Sequence, residues 1–131
     1  MITKGIKELC AEAEAQIETL EVAEAIALRG DPGVQIVDIR DIRELWRDGA
    51  VPGAFHAPRG MLEFWVDPQS PYHKEIFASG KKFVFFCASG MRSALATLAV
   101  HEMGLAPVAH IAGGFAAWRE AGGPVEEKER K

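Results

Sequence analysis

Cys87 holds the position in this chain best suited to a nucleophile. It closes the apolar run Lys82-Phe83-Val84-Phe85-Phe86 and opens the segment Ala88-Ser89-Gly90-Met91-Arg92-Ser93. The stretch Ala94-Leu95-Ala96-Thr97-Leu98-Ala99-Val100 follows. That order reads as buried strand, tight loop, buried helix. A thiol at such a junction faces curled backbone N–H groups and the positive end of a helix. Both favour a thiolate and both hold an anion.

The residue types within the loop narrow the chemistry. Ala88, Ser89 and Gly90 are small enough for the backbone to curl with its N–H groups inward, a nest that binds an oxyanion without side-chain charge. Arg92 adds a guanidinium able to hold an oxyanion by two hydrogen bonds. Ser93 is placed to cap the helix or donate to a bound group. Such a thiolate suits attack on a sulfur or phosphorus centre that carries anionic oxygens. Spacing separates the two. Phosphotyrosine-type phosphatases use Cys-x5-Arg, whereas Cys87 and Arg92 form Cys-x4-Arg. The tighter ring favours a smaller terminal atom, such as one sulfur.

The elements that must position this loop follow from periodicity and breakers. Ile6, Leu9, Cys10, Ala13 and Ile17 recur at helical spacing, which predicts an N-terminal helix over residues 1–15. Cys10 lies on its apolar stripe and is expected to be a small buried hydrophobe. Thr19 is expected to cap a short helix over 21–26. Strands are expected over 34–39, 54–57, 83–86 and 108–111, and helices over 41–48, 61–66, 72–78, 92–103 and 115–121. Residues 126–131 are all charged and are expected to fray. Continuously apolar strands alternating with helices argue an α/β fold of three layers. Its mainly parallel sheet of four to five strands carries helices on both faces. In such sheets ligands bind beyond the carboxyl ends of the strands, where Cys87 falls.

Composition bounds the rest. The chain has 131 residues, 48% apolar and 26% charged, as in an ordinary globular domain. A net charge of −4 argues against nucleic acid or an anionic membrane as partner. Two cysteines make no disulfide framework, and Met1 to Gln16 does not read as a signal peptide, so a reducing cytoplasm is expected. The four scattered histidines, with no Cys-x-x-Cys, give a metal site no support, and no cofactor is expected.

Four landmarks now resemble the rhodanese-like, or sulfurtransferase, domains. Ile36-Val37-Asp38-Ile39-Arg40 is similar to their early strand and Asp-x-Arg signature. Asp48-Gly49-Ala50-Val51-Pro52-Gly53-Ala54 is similar to a Gly-His-Ile-Pro-Gly-Ala turn, with Ala50 in place of the histidine. The segment from Cys87 to Ser93 resembles the active-site loop. Gly113-Gly114-Phe115-Ala116-Ala117-Trp118 resembles the closing Gly-Gly-x3-Trp element. The resemblance covers nearly everything from Ile17 to Val125, so residues 16–125 are expected to form the domain, with the first helix packed on it. The six residues from Cys87 to Arg92 match the loop length of sulfurtransferases; the related cell-cycle phosphatases have seven. What the resemblance implies is a two-step displacement. Cys87 takes the outer sulfur of a small anionic donor such as thiosulfate, becomes a persulfide, and passes the sulfur to cyanide or a thiol. Ala88, Ser89, Gly90, Met91 and Ser93 would stabilise the persulfide, and Arg92 would hold the donor's sulfonate. A protein-partnered sulfur relay or signalling module is the alternative, and a small phosphatase or arsenate reductase a third reading. The acceptor is a small thiol, cyanide or a protein, and the chain is a monomer or homodimer.

Outside the loop, Asp38 and Arg40 are expected to be structural, as an ion pair or loop anchor near the site, and Glu44 is placed to partner Arg40 across one helical turn. Arg59 is a basic residue where an anionic donor would approach. Phe64 and Trp65 are expected in core packing rather than as pocket walls, as is Trp118. Gly113 and Gly114 are expected to serve a tight turn. His56, His73, His101 and His110 are expected to take no part in catalysis.

Overall fold

Strand β4 (Lys82–Phe86) is the middle of the sheet, and its alternation explains the layers. Phe83 and Phe85 point into one core with Ala96 and Val100 of α5 (Met91–Glu102) and Leu62 and Val66 of α4 (Leu62–Val66). Val84 and Phe86 point into a second core with Ala25 of α2 (Val22–Leu28) and Phe115 and Trp118 of α6 (Gly114–Glu120). From Phe83 to Phe86 the strand is apolar at every position and buried on both faces, as parallel sheets require. The computed structural model describes residues 1–130; Lys131, the last residue of the charged tail, lies outside the described residues.

The sheet has five strands in the order β1-β5-β4-β2-β3, and every pairing is parallel. Strand β2 (Val34–Asp38) runs beside β4 with Val37 opposite Phe85 and Asp38 opposite Phe86. On the other side β5 (Val108–Ile111) places His110 opposite Phe85. β3 (Phe55–His56) and β1 (Glu18–Leu20) form the edges. The chain leaves β4 for β5 on one side and β2 for β3 on the other, so Cys87, at the end of β4, sits at a topological switch point.

Two local expectations need correction. Thr19 does not cap a helix; it lies in β1, paired opposite His110. The helix starts later, capped by a reciprocal box between Glu21 and Glu24. The expected helix over 72–78 is a short 3-10 turn, Glu75–Ala78. Helix α1 (Ile6–Glu14) packs Cys10 and Ala13 against Ala94 of α5. At the start of the charged tail, Ala50 and Glu126 exchange backbone hydrogen bonds of 2.8 and 2.9 Å, and the Arg130 guanidinium lies over Trp46. Among the described residues no helix is long and apolar enough to cross a membrane.

Candidate active site

Gly90 makes the turn that aims the loop at its own cysteine. Its φ of +106° is a conformation that side chains rarely adopt, and α5 starts at the next residue. The N–H groups of Gly90 and Ser93 then donate to Cys87 Sγ at 3.1 and 3.3 Å. The twelve-residue α5 points its N-terminal end at the same atom. Cys87 is buried at 1% exposure, whereas Ser89, Met91 and Arg92 line the outside of the loop. One sulfur atom therefore sits at the focus of converging donors, the arrangement that stabilises charge on sulfur.

The last helix braces the loop from beneath. Phe115 N–H donates to the Cys87 carbonyl at 2.8 Å, and Ala116 N–H to the Ala88 carbonyl at 3.1 Å. With those carbonyls drawn toward α6, the loop's N–H groups face the other way. Close approach of the two segments depends on Gly114. A Cβ built there would lie 2.4 Å from the Cys87 oxygen, and its φ is +58°. Gly114→Ala should therefore cost about 2–4 kcal/mol and displace the loop. Denaturant unfolding checks this; a loss under about 0.5 kcal/mol would show that the contact yields cheaply.

The arginines divide by burial. Arg40 is 1% exposed and carries a two-pronged pair with Asp38, Nε to Oδ1 at 3.0 Å and Nη2 to Oδ2 at 2.8 Å. A further bond reaches the Gly49 carbonyl at 2.9 Å, and the guanidinium stacks over Phe115 at 4.1 Å. Glu44 is not its partner. Glu44 instead reaches Arg92, with two hydrogen bonds of 2.9 Å each. The Arg92 guanidinium holds the Glu44 carboxyl below the ordinary carboxylate range, and Glu44 pushes Arg92 up in return. Arg59 opens a 3-10 turn, Arg59–Met61, and pairs with Glu63 one helical turn on at 2.7 Å. Trp65 packs beside the first core with its edge on Phe55; Phe64 is exposed, edge-on to Tyr72. Trp118 is buried and donates to the Pro124 carbonyl at 2.8 Å.

Sequence reasoning missed a line of polar groups behind the sulfur. Ser93 Oγ lies 3.6 Å from Cys87 Sγ and 3.0 Å from His110 Nδ1, and His110 Nε2 lies 3.1 Å from Glu14 Oε2. Burial lowers the His110 pKa from its ordinary value, while Glu14 opposes that shift. A histidine inside the apolar strand 108–111 was a visible signal; its partner Glu14, 96 positions away, was not. Cys10 Sγ stands 3.6 Å from the Met91 carbonyl, and burial, then Glu14 and Cys87, push its thiol pKa up. Of the other histidines, His56 bonds the Arg40 carbonyl at 2.7 Å, His73 bonds the Trp65 carbonyl at 3.0 Å, and His101 is exposed.

The chain is similar to known proteins. The rhodanese-like domain model matches residues 21–121. "Putative sulfurtransferase YtwF" of Bacillus subtilis (strain 168) is 30% identical over 103 residues, covering 79% of this chain and 88% of that protein. A protein of unknown function from Rhodopseudomonas palustris CGA009, described as a "possible tyrosine phosphatase", is 62% identical with a TM-score of 0.94. That match covers 96% of this chain and 97% of the other. The polysulfide-sulfur transferase homodimer of Wolinella succinogenes is 26% identical with a TM-score of 0.71, covering 95% and 88%. With the parallel sheet, the Cys87 loop and a match over residues 21–121, the chain belongs to the rhodanese-like domain family.

Proposed function

We propose that this chain is a sulfurtransferase that carries a sulfane sulfur as a Cys87 persulfide. The observation that carries the reading is the convergence of the Gly90 and Ser93 N–H groups on one sulfur inside a six-residue loop. Cys87 thiolate attacks the outer sulfur of thiosulfate; the S–S bond of the donor breaks and sulfite leaves with the bonding pair. The terminal sulfur of the persulfide takes the negative charge, which the loop stabilises. A thiolate or cyanide then attacks that sulfur, and Cys87 leaves as thiolate. The sulfurtransferase name of the Bacillus subtilis relative and the polysulfide-sulfur transferase name of the Wolinella succinogenes protein support the same chemistry. Arg92 binds the sulfonate by exchanging part of its Glu44 pair for the donor.

Intact mass after incubation with thiosulfate tests the reading. The expected result is a gain of one sulfur atom that dithiothreitol removes. The phosphatase description of the Rhodopseudomonas palustris protein sets the opposing arm: turnover of an aryl phosphate with no sulfur adduct would overturn the proposal. Arg92→Ala should lower kcat/KM for thiosulfate about tenfold or more, the loss of a charged hydrogen bond, and change a sulfonate-free persulfide donor much less. Equal losses for both donors would remove the sulfonate role.

A further inference from the structure

The polar groups behind Cys87 form a continuous line from the buried sulfur to the protein surface. Ser93 and His110 are 0% and 1% exposed, whereas the Glu14 side chain is 45% exposed. Proton positions along that line follow from its outer end. An ionised carboxylate only accepts, so His110 Nε2 carries the proton and donates to Glu14. Nδ1 is then an acceptor, and the group facing it is the Ser93 hydroxyl at 3.0 Å. The Ser93 hydroxyl has a second acceptor in reach, the Gly90 carbonyl, but at a longer 3.3 Å. With its proton on His110, Ser93 Oγ offers a lone pair to the Cys87 S–H, 3.6 Å away. Cys87, Ser93 and His110 thus each donate toward the next group, and Glu14 accepts at the end of the line.

We propose that Ser93, His110 and Glu14 form a proton relay that removes the thiol proton of Cys87 and returns it. In the forward step the S–H bond of Cys87 breaks and its proton passes to Ser93 Oγ. The original hydroxyl proton of Ser93 passes to His110 Nδ1. The products are a thiolate held by Gly90 and Ser93 N–H groups and an imidazolium held by Glu14, with no net change in charge or oxidation state. The reverse step reprotonates Cys87 after sulfur has left. The surroundings of His110 leave the exchange to Glu14. From α1 the ring meets Glu14, from α5 the uncharged Ser93, and its register neighbours Thr19 on β1 and Phe85 on β4 do not titrate. Cys10 also lies near Glu14, and the Arg92 guanidinium lies near Cys87. Glu14 belongs to α1, outside the residues 21–121 matched by the family, so the first helix completes the relay. His110 and Glu14 act on Cys87 only through Ser93 and do not touch the sulfur.

The test reads ionisation of Cys87 directly and uses no sulfur donor, so its failure is separable from failure of the sulfurtransferase reading. The rate of iodoacetamide alkylation is followed from about pH 5 to 10 by mass of the Cys87 peptide, which keeps Cys10 out of the measurement. Wild type should show two inflections, one for formation of the thiolate–imidazolium pair and one for loss of the His110 proton. His110→Gln should leave one inflection and lower the rate near pH 6.5 about tenfold, equivalent to one pK unit, with little change near pH 10. Glu14→Gln, on an exposed side chain, tests the relay even if the buried variant does not fold, and should lower the rate near pH 6.5 about threefold. A role in packing alone would scale the rates equally at every pH or lower the melting temperature without altering the profile. A Glu14→Gln profile that superimposes on wild type overturns the relay.

Discussion

Cys87→Ser should keep its fold and lose sulfur transfer by roughly 10,000-fold or more, the scale of removing an essential nucleophile. Serine is nearly the same size and still accepts the N–H groups that meet the sulfur at 3.1 and 3.3 Å, so the loop retains its partners. Its hydroxyl is not ionised near neutral pH and cannot form a persulfide. Cys10 offers no substitute, because it sits in the contact between α1 and α5 at the Met91 carbonyl. Turnover of thiosulfate with cyanide, paired with a thermal melt, checks both halves. A variant within 100-fold of wild type, or a sulfur adduct on Cys10, would refute the assignment of Cys87.

The second large effect is on stability. Asp38→Ala should cost about 3–5 kcal/mol, because it removes the carboxylate hydrogen-bonded to the buried Arg40 guanidinium. That is a large share of the 5–15 kcal/mol typical of a domain. The cost exceeds an ordinary lost contact because Arg40, at 1% exposure, cannot turn to water. The Gly49 carbonyl and the Phe115 face still meet it, but neither carries the charge that Asp38 supplied. Removing both charges is milder. Asp38→Leu combined with Arg40→Met should recover most of the loss, since apolar side chains of similar volume often replace a buried pair without cost. Urea unfolding midpoints of the single and double variants decide the matter. A single-variant loss below about 1 kcal/mol would mean that water reaches the guanidinium.

The strand–loop–helix at Cys87 was legible in sequence because its signals are local. Phe83 to Phe86 are apolar without interruption, Gly90 supplies the turn, and the apolar helix follows at once. β1 was not legible. It has three residues, of which Leu20 alone is buried, and it exists because the edge of β5 offers backbone groups to pair. Side-chain partners separated along the chain were equally hidden. Helical spacing suggested Glu44 for Arg40, yet Arg40 turns back on Asp38, two residues away on the same side of an extended segment. That left Glu44 for Arg92, 48 positions distant. The line from Ser93 to Glu14 crosses three elements, and its one local signal is a histidine inside an apolar strand.

The clamp of α6 on the loop bears on how the protein is made. Cys87 is synthesised well before Phe115 and Ala116, whose N–H groups turn the carbonyls of Cys87 and Ala88. The ring around the sulfur therefore closes only after the closing Gly-Gly turn has left the ribosome and docked. Until then the thiol sits in a loop that α6 does not brace. A nascent chain stalled ahead of residue 115 would carry Cys87 without the two hydrogen bonds that brace its loop.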